Sequence, residues 1–207
     1  MIEFLKSSIE FQQWGWNIST VGAVGAIVLT LFQGWGFWKQ SRAIWTEKSG
    51  QSISVPMTGF WLVYFGAFLV YALSVPSVVM VWNCFLVIPI AVATAGLWVY
   101  KERRLGEWGM VLLCAGFIPA MIYLPKDIVL MALYVPAYGV LVHQGYEVWK
   151  KGVGVLEPAF VTVFVATCLF WMMFTATTGQ WVIFVFNCLA APIWLYIFWR
   201  WYKTRVR

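Results

Sequence analysis

The chain has 207 residues, 62% of them hydrophobic and 11% charged, with 14 basic and 8 acidic side chains. A soluble domain usually carries about 25% charged residues, so a soluble globular enzyme and a disordered chain are both excluded. What remains is an integral membrane protein. Strands of a membrane barrel would be about ten residues long and strictly alternating. The runs here are roughly twice that length and apolar on every face, so the fold class expected is all-α. Fifteen Trp, 16 Phe and 9 Tyr suit interface anchors and lipid-facing rings. The N-terminal MIEFLKSSIEFQQWGW lacks a basic stretch followed by an apolar core and cleavage site, so no removable signal is expected.

Seven spans are predicted in chain order, at 17–38, 55–73, 76–99, 107–124, 128–148, 157–176 and 180–201. At about 1.5 Å per residue, each crosses or nearly crosses a hydrocarbon core of about 30 Å. The first connection holds Lys39, Arg42 and Lys48, and the third holds Lys101, Arg103 and Arg104. The fifth holds Lys150 and Lys151, and the tail holds Arg200, Lys203, Arg205 and Arg207. Only Lys6 and Lys126 fall on the other side. The bias predicts an outside N-terminus and a cytoplasmic C-terminus, in a plasma membrane or a bacterial inner membrane. Because the basic residues sit in short clusters between spans, the net charge of +6 is no nucleic-acid signal.

An internal repeat is expected. The third span reads VWNCFLVIP from Val81 and the seventh reads VFNCLAAP from Val185, each with a proline four or five residues past an Asn-Cys pair. The second span opens with SISVP ending at Pro56, and the sixth with GVLEP ending at Pro158. Four landmarks in the same order make two parallel three-helix bundles joined by a linker helix. The expected organisation is an outside segment 1–16, a first repeat 17–99, a linker helix with its loops 100–127, a second repeat 128–201 and a tail 202–207.

No GxSxG, HExxH, Walker A or GxGxxG pattern is present, so no enzyme is expected. Cys84, Cys114, Cys168 and Cys188 lie inside apolar runs without CxxC spacing and read as small hydrophobes, not a metal site. His143 has no second His or acid at ligand spacing and reads as a packing histidine, with proton relay the lesser alternative. Glu147 and Glu157 lie at the inner ends of their spans, where water is near; a coupling role there is the minor reading. No acid lies in the middle of a span, which argues weakly against a proton-driven pump.

Asn83 and Asn187 are the informative polar residues. A mid-span carboxamide either ties two helices together or contacts a ligand. Their pairing by the repeat favours one shared polar spot at the interface of the halves, suited to an uncharged polyhydroxylated ligand. Trp171 precedes Asn187 by sixteen residues on the neighbouring helix, at nearly the same depth. An indole there could stack under a sugar ring, or simply pack. Phe68 holds the corresponding position in the first half.

The segment KQSRAIWTEKSGQSISVP, from Lys39 to Pro56, resembles the PQ-loop motif. With the three-one-three layout, the paired Asn and Trp171, nearly the whole chain resembles the SWEET and SemiSWEET sugar transporters. That resemblance implies a facilitator that carries a mono- or disaccharide by alternating access, with Asn83, Asn187, Trp171 and Phe68 as substrate-binding residues. It also implies Pro56 and Pro158 as hinges, while the family's proline in the first and fifth helices is replaced by Lys39 and about Leu141. No cofactor or metal is implied. The partners expected are a sugar-like small molecule and membrane lipids, with no nucleic acid, and a homo-oligomer is compatible with the sequence. Vitamin-precursor transporters, amino-acid exporters and membrane sorting receptors share the resemblance and stay open as alternatives.

Overall fold

The computed structural model describes residues 2–48, 55–101, 105–151 and 158–205. Among these, all regular structure is helical. Two short helices, Ile2–Ser7 and Ile9–Gln12, precede seven long ones. These are α1 (Ile18–Glu47), α2 (Val55–Ser74), α3 (Val78–Tyr100), α4 (Leu105–Tyr123), α5 (Lys126–Lys151), α6 (Pro158–Thr178) and α7 (Trp181–Arg205). Six of the seven are long and apolar enough to cross a membrane. The other, α5, has 26 residues and no charge between Ile128 and Val142. The architecture fits an all-helical, multi-pass integral membrane protein.

Helix α1 starts at Asn17, whose side-chain oxygen accepts from the Thr20 N–H at 2.9 Å. It was expected to end at residue 38 but runs nine residues further, because KQSRAIWTE contains no Gly or Pro and has a face for α3. On that face Ser41 and Ile44 are buried, the Ser41 hydroxyl donates to the Pro89 carbonyl, and the Trp45 indole donates to the Val92 carbonyl at 3.0 Å. The stretch Lys39–Glu47, predicted as a connection, is therefore helix. It ends at Lys48 in the left-handed region, φ 48°. The rest of the motif-like segment, 49–54, lies outside the described residues, as do Arg103 and Arg104. The predicted tail is corrected in the same way, since α7 continues to Arg205.

Helix α3, predicted as one uninterrupted span, is broken after Cys84. Pro89 has no N–H to give the Phe85 carbonyl, and its ring crowds that carbonyl. The backbone tightens instead, with the Phe85 N–H on the Trp82 carbonyl (3.1 Å) and the Leu86 N–H on the Asn83 carbonyl (3.2 Å). Helix α4 breaks at Gly116 for the same reason, with Pro119 three residues on. Pro136 and Pro192 lie inside α5 and α7.

Helix α3 packs against both α1 and α2, and α7 packs against both α5 and α6. The two groups meet where α1 runs along α6 and α2 touches α5, while α4 lies along α2. The α1–α6 crossing is close because its residues are small: Ser19, Gly22, Ala23 and Ala26 are buried there. A Cβ at Gly22 would sit 2.6 Å from the backbone nitrogen of Phe174. Four of the long helices, α1, α3, α5 and α7, begin at one end of the molecule, the N-terminal face. Lys39, Arg42, Lys48, Lys101, Arg200 and Lys203 gather at the other end. The Lys39 ammonium lies 3.6 Å over the Trp35 ring and that of Lys203 4.2 Å over Trp199, so each long side chain lies along an aromatic ring of its own helix.

The N-terminal segment straps the α2–α3 turn. The Ile9 N–H donates to the Pro76 carbonyl at 2.9 Å. Glu10, buried at 8% exposure, accepts from the Ser77 hydroxyl and from the N–H groups of Val78 (3.0 Å) and Val79 (3.1 Å). A carboxylate there satisfies donors that a helix start leaves unpaired and complements its dipole. Glu10→Ala should therefore lower stability in detergent by about 1.5–3 kcal/mol, the range for hydrogen bonds to a charged group. An unchanged unfolding midpoint would show the strap to be dispensable.

Candidate functional site

A cavity of about 70 Å³ lies where six helices converge. It brings together the four side chains singled out in the sequence: Asn83 from α3, Asn187 from α7, Trp171 from α6 and Phe68 from α2. Further rings come from Trp61 and Tyr64 on α2 and from Phe186 and Trp194 on α7, and α1 adds the carboxamide of Gln33. No described residue lining the cavity is charged. The arrangement is amides for hydrogen bonds and aromatic faces for stacking, with no fixed charge to hold an ion.

The two asparagines are not equivalent. The Asn83 Nδ2 donates to Thr30 Oγ1 at 3.0 Å, and that hydroxyl donates onward to the Ala26 carbonyl at 2.8 Å. Asn83 therefore links α3 to α1 as well as lining the cavity. Asn187 donates to the Ile183 carbonyl of its own helix at 2.8 Å. Met172 and Cys188, one residue on along helices that run in opposite directions, bring their sulfurs to 3.4 Å, which puts Trp171 and Asn187 within about 3 Å of the same depth.

Phe68 is both wall and core. It is 1% exposed and stacked between Tyr64 (5.6 Å, 14°) and Tyr71 (6.1 Å, 12°), with Trp171 edge-on at 6.3 Å. Beyond it, toward the N-terminal face, the Tyr71 hydroxyl lies 3.1 Å from Asp127 Oδ1 and 2.8 Å from Gln180 Oε1. One phenolic proton serves one acceptor at a time, so Tyr71 joins α2 to the start of α5 or to the α6–α7 turn. Deeper on the same seam, the Tyr64 and Tyr134 hydroxyls are 3.4 Å apart, and Tyr134 stacks on Phe186 at 4.1 Å. On the opposite side of the cavity lies a small apolar void of about 10 Å³, walled by Phe37, Met57, Val140 and Trp194 among others.

Pro56 is the second residue of α2 and Pro158 the first of α6. A proline in the first turn removes no helical hydrogen bond, so flexing there would swing a helix about its start without kinking it. The side chains of His143 and Glu147, and all of Glu157, lie outside the described residues. Sequence reasoning passed over Gln33, Trp61, Tyr64 and Trp194. Gln33 carried a usable signal, as a polar residue in the middle of the first apolar run. The rings carried none, being lost among 40 aromatic residues.

An all-helical protein whose helices fit a multi-pass membrane protein, with an amide- and ring-lined cavity that carries no described charge, is the class that fold and site define. Comparison with known proteins gives no match to a family model, a curated protein or a solved structure.

Proposed function

We propose that this chain is a transporter of the facilitator type for a small neutral solute, a monosaccharide or a molecule like it, working by alternating access. One observation carries the reading. The central helices α3 and α7 each deliver a carboxamide to one ring-walled cavity whose described lining carries no charge. Such a site holds a ligand by hydroxyl hydrogen bonds and by stacking on its C–H face. A volume of about 70 Å³ is roughly half that of a cavity that takes up one benzene ring, so the walls must move apart to admit a sugar, as alternating access requires. The zwitterion of an amino acid would enter without a countercharge, which favours the sugar-like solute.

The helix packing supports two three-helix sets with α4 as the linker. In each set the last helix packs against both others, and the sets meet through the matching pairs α1–α6 and α2–α5. The outside N-terminus and the resemblance to SWEET-type transporters rest on the basic-residue bias and on the Asn-Cys, proline and PQ-loop-like motifs.

The test is uptake by the purified protein in liposomes, with a panel of labelled monosaccharides, disaccharides, polyols and amino acids. Saturable, downhill uptake of a monosaccharide or polyol is expected without a pH gradient, because no described carboxyl lines the cavity. Uptake of none of them, or uptake only under an imposed pH gradient, would overturn the reading.

A further inference from the structure

The Gln33 carboxamide is a polar group of the cavity that neither the repeat nor the motif resemblance brings forward. It lies near the middle of α1, 5% exposed, on the cavity wall. Its Oε1 is buried and receives no hydrogen bond from any described residue. Buried amide oxygens are nearly always paired, because an unpaired one forfeits its hydration without return. The neighbouring polar groups are occupied: Thr30, one turn earlier, receives Asn83 and donates to Ala26. Rotation about the Cγ–Cδ bond exchanges oxygen and nitrogen, so the group can offer the cavity either end. Helix α5 contributes Leu141 to the same lining. The cavity thus combines an unpaired amide acceptor on α1 with an aliphatic side chain on α5.

We infer that Gln33 is a specificity-determining residue, whose carboxamide accepts a hydrogen bond from one hydroxyl of the solute and so fixes which way round it sits. The inference rests on the facilitator reading above and narrows it. The solute presents a hydroxyl-bearing edge to α1 and an apolar edge, such as a C–H face or a deoxy position, to Leu141 on α5. A site built to pair with a hydroxyl discriminates sharply against the analogue lacking it, because the site's own polar group is then stranded.

The experiment is a binding series with the full chain in detergent, read by tryptophan fluorescence. The parent and Gln33→Met are each titrated with the best-transported monosaccharide and with its complete set of monodeoxy analogues. Met keeps the length and burial of Gln and removes the acceptor. Gln33→Met is expected to stay folded and to bind the parent sugar roughly tenfold more weakly, the effect of one lost hydrogen bond of about 1.4 kcal/mol. One deoxy analogue should bind parent and variant equally, identifying the hydroxyl that Gln33 receives. If Gln33→Met binds the whole series as the parent does, the inference is overturned while the transporter reading stands. A variant that weakens every analogue by the same factor overturns it equally. Should the parent bind no member of the series, the sugar reading falls and takes the inference with it.

Discussion

Asn187→Ala should cut uptake tenfold or more and leave the protein folded and monodisperse. Among the described residues the Asn187 amide donates to the Ile183 carbonyl of its own helix alone, so its loss removes no described tie between helices. A solute hydroxyl stranded in the cavity would then lack a partner at about 1–3 kcal/mol. Asn83→Ala should behave differently, because its amide also bridges to Thr30 on α1. There, stability falls by about 0.6–2 kcal/mol together with uptake. Trp171→Ala should abolish uptake and Trp171→Phe should keep part of it, since stacking survives without the indole N–H. Phe68→Trp is the contrasting case. With Phe68 stacked on both faces and 1% exposed, the larger ring overpacks the core by about 1–3 kcal/mol. Initial uptake rates in liposomes, read beside thermal unfolding in detergent, separate these outcomes. Asn187 and Trp171 variants that fold and transport at the parent rate would leave both residues as packing.

Gly22→Leu should force open the seam between α1 and α6. Even its first added carbon would lie 2.6 Å from the Phe174 backbone nitrogen and 3.0 Å from the Phe170 carbonyl oxygen. Backbone cannot rotate aside as a side chain can, so the helices must part. If alternating access opens the N-terminal face along this seam, the variant populates the open state in the absence of solute. A wedge of about 1–3 kcal/mol shifts such an equilibrium roughly 5- to 150-fold. Cys168 is a native reporter, because it is buried and lines the cavity. With the other three cysteines replaced by Ala, a membrane-impermeant maleimide added at the N-terminal face should modify Cys168 at least fivefold faster in Gly22→Leu than in the parent. Equal labelling in a folded variant would place the moving seam elsewhere.

The spans were legible in the sequence because apolar run length is a one-dimensional quantity. Where the structure departs, a local rule met a partner distant in the chain. The extension of α1 to Glu47 depends on Pro89, Val92 and Gly96 of α3 receiving Ser41, Ile44 and Trp45. The break in α3 follows from Pro89 and could have been read from it. The Glu10 cap joins residues 67 to 69 positions apart, a pairing no sequence window contains. The candidate site was readable where a polar residue had a counterpart in the other half, as Asn83 and Asn187 do. Gln33 has no such counterpart, and rarity in an apolar run was its only signal.

Helix α4 differs from its neighbours in a way that bears on how such a chain can be assembled. Only 6% of its apolar window is buried, and it lies along α2. A set of three helices finishes on the face opposite to where it began, yet α5 starts on the same face as α1. The chain must cross once more between them, and α4 supplies that crossing. Its requirements are thus length and apolarity, which the translocation machinery reads, with little demand for fit. Substitutions that keep the lipid-facing side of α4 apolar should accumulate freely, except opposite Gly59 and Gly66, where Val111 and Ile118 press on α2. A break in the polypeptide at residues 102–104 would leave every described wall of the cavity in place.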